Sequence, residues 1–167
     1  MHELAITVIG PDRTGIVADV SEALAAVGAN LTDSTMTRLR GHFAMTLICT
    51  GPAEAEAVQA LRRVGGVLAT VRPVEPETGT AAAGEPYQLS VHGADRLGIV
   101  AAVARVVAAV GANITDLTTR LSGPLYVLVA EVDVPAGAGD ELAERLAVAA
   151  AELDVDVTLR RAESEIL

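Results

Sequence analysis

Apolar and polar positions along the first half of the chain change period several times. Residues 4–9, Leu-Ala-Ile-Thr-Val-Ile, form a β run closed by Gly10. From 14 to 27 the apolar residues Ile16, Val17, Val20, Leu24 and Val27 recur at helical spacing, and Gly28 ends that helix. Residues 30–40 alternate in and out and are rich in threonine, as a half-buried strand requires. A tight turn at Gly41-His42 leads into an apolar strand over 43–50. Residues 54–64 predict a second helix, with Ala55, Val58 and Leu61 apolar, and 67–71 a last strand. The order is βαββαβ.

The same order is written again further on, with helices near 97–110 and 139–152 and a last strand near 155–160. Residues 6–33 align with 89–116 without a gap, and 17 of 28 positions are identical. After a one-residue slip, Thr37-Arg38-Leu39 matches Thr119-Arg120-Leu121, and Gly41 matches Gly123. The predicted organisation is a first domain over 1–75, a proline-bracketed linker over 76–86 and a second domain over 87–167. Each unit predicts a ferredoxin-like α+β sandwich, an antiparallel four-stranded sheet with two helices on one face. Many strand residues look apolar on both faces. The two copies are therefore expected to associate with each other, and the chain to form a homo-oligomer, a dimer.

Composition removes several chemistries. The chain has 167 residues and a net charge of -10, and all twelve basic residues are arginine. Without lysine there is no Walker A lysine, Schiff base or lysine general base. One cysteine, Cys49, leaves no disulfide framework and no Cys-rich zinc site. It is expected to be a small buried hydrophobe. An acidic chain with aromatics only at Phe43, Tyr87 and Tyr126 offers neither phosphate neutralisation nor a base-stacking platform, so no direct nucleic-acid contact is expected. No apolar run approaches the roughly 18–20 residues of a membrane span. The start, Met1-His2-Glu3-Leu4, lacks a signal-peptide pattern, so a cytoplasmic protein is expected.

Candidate chemistry gathers at two loops, Gly10-Pro11-Asp12-Arg13-Thr14-Gly15 and Gly93-Ala94-Asp95-Arg96-Leu97-Gly98. Each joins the first strand of a unit to its first helix, where free amides and the helix dipole favour an anion such as a carboxylate. Asn30 and Asn113 follow those helices and are expected at the same end of the sheet, where an amide could hold both a carboxylate and an amine. The plainer reading makes Asp12 and Asp95 helix N-caps and lets the asparagines satisfy turn backbone. His92, Asp95 and Asp116 could be imagined around a metal, but their spacing does not force them together. No catalytic constellation stands out, and neither cofactor nor metal is called for.

The stretches Asp-Arg-x-Gly-Ile-Val-Ala after strand one and Gly-Ala-Asn-Leu/Ile-Thr-Asp at strand two resemble the ACT domain, in two tandem copies covering nearly the whole chain. The segment 28–34, with Arg38-Leu39 and Phe43-Ala44-Met45, is most similar to the glycine cleavage repressor group of that family. The resemblance implies amino-acid binding at domain interfaces by Gly10, Asp12, Gly15 and Asn30, and by Gly93, Asp95, Gly98 and Asn113. Where the family's loop often has proline, this chain has Thr14 and Leu97, and the bulky Leu97 is expected to weaken the second site or to make it serve contact rather than binding. The implied function is a non-enzymatic regulator that senses a small amino acid, glycine or serine, and signals to a protein partner such as a transcription factor. The alternative is a ligand-independent interaction and oligomerisation module.

Overall fold

The computed structural model describes residues 3–75 and 84–163, and the chain divides into two compact units, Met1–Thr78 and Gly79–Leu167. The first runs β1 (Glu3–Pro11), α1 (Ile16–Ala26), β2 (Asn30–Leu39), β3 (His42–Thr50), α2 (Glu54–Arg62) and β4 (Leu68–Val74). The second runs β5 (Glu85–Ala94), α3 (Ile99–Ala109), β6 (Asn113–Ser122), β7 (Leu125–Val134), α4 (Gly139–Leu153) and β8 (Val155–Arg161). Each sheet is antiparallel, in the order β2-β3-β1-β4 and β6-β7-β5-β8. This is the ferredoxin-like sandwich that the pattern predicts.

In the predicted linker, residues 76–83 lie outside the described residues. Glu85 and Pro86 already belong to β5, opposite Val134 and Asp133. Pro86 has no amide to donate, but its carbonyl accepts a hydrogen bond from the Ala162 N–H at 2.9 Å, so the strand starts earlier than the composition suggests.

Alternation along the central strands places the cores. In the first unit Leu4, Ile6 and Val8 of β1 and Phe43, Met45, Leu47 and Cys49 of β3 are buried against Ile16, Val20 and Leu24 of α1 and Ala57 and Leu61 of α2. The second unit repeats this with its own cluster around Leu89, Val91, Leu128, Val103 and Leu146. The intervening strand residues, among them Thr7, Ile9, Thr46 and Leu68, stay exposed on the other face. Both first helices end as predicted. The Gly28 N–H bonds to the Ala25 carbonyl and the Ala29 N–H to the Leu24 carbonyl, each at 3.0 Å, and Gly111 and Ala112 do the same on Ala108 and Val107.

Two features of β2 and β6 have local causes. The register shifts between Leu31 and Asp33 and between Ile114 and Asp116. The extra residue, Thr32 or Thr115, donates its hydroxyl to the carbonyl of Ile48 or Glu131, each at 3.3 Å. The repeated Asn-x-Thr-Asp motif is thus a β-bulge with its own hydrogen bond. The one-residue slip read from Thr-Arg-Leu is absent from the backbone. Arg38 stands opposite Phe43 and Leu121 opposite Tyr126, so the two ladders keep one offset to their ends. Both hairpins have two-residue turns, Arg40-Gly41 and Gly123-Pro124. Because a one-residue step turns a side chain to the other face, Arg38 and Arg120 lie on opposite faces of their sheets.

Cys49 is fully buried on the helix-facing side of β3. Burial raises its thiol above the ordinary 9.0. The folded state therefore holds the proton more tightly, and the thiol's contribution to stability is intact below the unfolded value and lost as pH rises past it. The native protein is expected to resist iodoacetamide at pH 8 and to become alkylated only as denaturant unfolds the first unit. Fast labelling in buffer alone would contradict the burial.

Candidate functional site

The two β–α loops carry most of the residues singled out in the sequence, and their glycines fall into two kinds. A Cβ on Gly10 would stand 2.5 Å from the Gly66 carbonyl oxygen, and one on Gly93 would stand 3.0 Å from Val155 Cγ1. These two glycines let the start of the neighbouring edge strand approach. Gly15 and Gly98 have open space around them, but their φ values are 83° and 87°. They are the N-terminal capping residues of α1 and α3, in a left-handed conformation that favours glycine.

That geometry overturns the cap reading of Asp12 and Asp95. Neither α1 nor α3 has a side-chain cap; in α1 the Ile16 N–H donates to the Arg13 carbonyl at 3.3 Å, while the first-turn amides of α3 are left to solvent or a ligand. Asp12 does something else. Its N–H donates to the Gly41 carbonyl at 2.9 Å, tying the loop to the β2–β3 turn. Its carboxylate takes Arg38 Nε at 3.1 Å. Arg13 pairs with Asp19 at 2.7 Å, on the first turn of α1.

The second loop is wired differently. Leu121 occupies the strand position of Arg38, so Asp95 has no ion-pair partner among the described residues. Ala102 replaces Asp19, and Arg96 instead reaches Asp154 at the end of α4, 3.5 Å away. Leu97 is fully exposed. A hollow of about 520 Å³ opens here, lined by Asp95, Leu97, Gly98, Val100, Ala101 and Tyr126 among others. Tyr126 is half-buried where its counterpart Phe43 is wholly buried. Sequence reasoning passed over both Arg38 and Tyr126. The Phe-to-Tyr difference was the available signal for the second, while the apparent slip concealed the first.

Asn30 and Asn113 are not at the loop end. Asn30 pairs with Thr50, and Thr50 with Glu3, the first residue of β1, whereas Asp12 follows its last. Asn113 pairs with Asp133, and Asp133 with Pro86. Eight residue steps of strand, roughly 26 Å at ~3.3 Å per residue, separate each asparagine from its own unit's loop. The shared site expected within one unit does not form, because the helix carries the chain back along the sheet before the asparagine is reached.

The remaining candidates are dispersed. His92 Nε2 lies 3.3 Å from Asp156 Oδ2 on the exposed sheet face. His92, Asp95 and Asp116 make no metal-ligand cluster, and no group of three or more such residues is assembled among the described residues. No helix among them is long and apolar enough to cross a membrane.

Comparison with known proteins agrees with this architecture. The ACT-domain family model matches residues 2–66 and 85–160. The crystal structure of an unknown protein from Galdieria sulphuraria is 32% identical, over 97% of this chain and 99% of that one, with a TM-score of 0.86. A structure bearing the provisional name of glycine cleavage system transcriptional repressor is 17% identical, over 98% of both chains, with a TM-score of 0.70, a likeness of fold. A UPF0237 protein of Streptococcus mutans is 43% identical over 54 residues, 32% of this chain and 61% of that protein. One from Methanopyrus kandleri is 48% identical over 48 residues, 29% of this chain and 53% of that protein. The chain thus spans a little over half the length of these curated relatives.

Proposed function

The chain belongs to the ACT-domain family, in two tandem copies, and from that premise we propose that it is a non-enzymatic regulator sensing a small amino acid, glycine or serine. The observation that carries this reading is the second loop. There an uncapped helix N-terminus and Asp95, a carboxylate with no ion-pair partner among the described residues, face one hollow. The α-carboxylate of an amino acid suits the first-turn amides of α3, where the helix dipole favours negative charge. Its ammonium suits Asp95. Val100 and Tyr126 are among the residues that wall the hollow. In the first loop Arg38 already occupies Asp12. The geometry therefore favours the second site, the reverse of what Leu97 alone suggests. Asn30 and Asn113 join such a loop only when another ACT copy supplies them. The output is a protein partner, such as a transcription factor.

The test is a thermal-shift panel of the extensively dialysed protein against all twenty amino acids. A ligand at about 100 times its dissociation constant stabilises by roughly 2.7 kcal/mol. Spread over a chain of this size, that is several degrees. One or two related amino acids are expected to raise the melting temperature. A flat panel, with retained ligand excluded by mass spectrometry, would overturn the sensor reading and favour the ligand-independent interaction module.

A further inference from the structure

The two β–α loops are near copies in sequence, yet the rest of each unit holds them differently. In the first, Arg38 Nε lies 3.1 Å from the Asp12 carboxylate, whose side chain is 28% exposed against 66% for the arginine. The Asp12 N–H also donates to the Gly41 carbonyl at 2.9 Å. Strand β2 thus reaches the loop with a side chain, and the β2–β3 turn reaches it with backbone. In the second loop neither tie forms among the described residues. The strand position of Arg38 holds Leu121, Asp95 is exposed, and its N–H makes no bond to the Gly123-Pro124 turn. Arg120, which the repeat aligns with Arg38, lies on the other face of its sheet and donates to the Thr119 carbonyl at 2.8 Å.

We propose that Arg38 is a built-in occupant of the first loop, and that this single strand position decides whether a loop accepts an amino acid. The inference rests on the sensor reading and adds to it the residue that sets the number of open sites. Arg38 puts a cation where the ammonium of a ligand would meet Asp12. A guanidinium tethered to the chain competes there at high effective concentration. A free ammonium would have to displace a charged hydrogen bond that is already made. With arginine at the position a loop is closed to a zwitterion, and with leucine it is open. The wild type therefore holds a single amino acid per chain, at the second loop.

Isothermal titration of glycine and of serine into the full chain reads that number. Each test substitution installs the residue that the other copy already carries, at an exposed position of an edge strand, so folding is expected to survive and an unchanged melting temperature checks it. Arg38→Leu is expected to raise the stoichiometry from about one ligand per chain to about two. The added site is expected to be about tenfold weaker, because the Ile16 N–H of α1 is already given to the Arg13 carbonyl. Adding Asp12→Ala to Arg38→Leu is expected to remove it again. Leu121→Arg is expected to weaken binding at the second loop by about tenfold or more. A wild type that already binds at both loops, an Arg38→Leu protein with the wild-type stoichiometry, or a Leu121→Arg protein with the wild-type affinity would each overturn this inference and leave the sensor reading standing. No saturable heat in any of these proteins would overturn the sensor reading, and this inference with it.

Discussion

Phe43→Ala is expected to destabilise the first unit by about 3–5 kcal/mol, the usual loss for removing a buried aromatic ring from a packed core. Phe43 is the largest fully buried side chain of the chain's described residues and sits where β3 meets β1 and α1. A domain of this size has roughly 5–15 kcal/mol in all, so the variant stands at the edge of unfolding. The second unit has its own core cluster and no share in Phe43. Its melting transition is expected to stay where it is while the first falls by ten degrees or more, at roughly 4–8 °C per kcal/mol for a small domain. Tyr126→Ala, at the matching position, removes a ring that is only half-buried and is expected to cost less. Calorimetry on both variants measures this. A single transition that moves as a whole in either variant would contradict the independence of the two cores.

Gly10→Val is the second large effect. The new side chain would drive into the Gly66 carbonyl and the Val67 Cα, which are backbone just before β4 and cannot rotate away. The expected loss is at the upper end of the roughly 1–3 kcal/mol of overpacked sites. Gly93→Val meets chiefly the Val155 side chain, at 3.0 Å, and is expected to cost less because that neighbour can shift. This pair separates two meanings of a loop glycine that stands in both copies. If Gly10 and Gly93 serve strand packing, both variants lower the melting temperature, and the surviving folded Gly93→Val protein keeps its ligand affinity. Unchanged stability with lost affinity would instead assign Gly93 to the binding site.

The repeat, the element order and the sheet were legible because periodicity and punctuation agreed. Ile16, Val20 and Leu24 mark the buried stripe of α1, and Gly28 closes it with the hydrogen bonds its position predicts. Cys49 sits among alternating apolar residues and is buried accordingly. The site was less legible, for three physical reasons. A residue that follows a helix looks close to the loop that precedes it, yet the helix returns the chain along the sheet, so Asn30 and Asp12 end a strand length apart. An aspartate before a helix looks like a cap, yet Gly15 takes the cap position with its backbone and leaves Asp12 to Arg38. A repeated tripeptide looks like an aligned one, yet the ladder holds its offset, and Arg120 falls on the face opposite to Arg38. That last difference frees Asp95 and distinguishes the two loops.

The central claim is that the second loop receives an amino acid between the α3 N-terminus and Asp95. Isothermal titration of glycine and of serine into the dialysed wild type and into Asp95→Ala tests it most directly. The expected result is saturable binding to the wild type and its loss, by tenfold or more, in an Asp95→Ala protein whose melting temperature is unchanged; one lost charged hydrogen bond of about 1.5–3 kcal/mol accounts for that. Equal affinity in the two proteins, or no heat in either, would contradict the account.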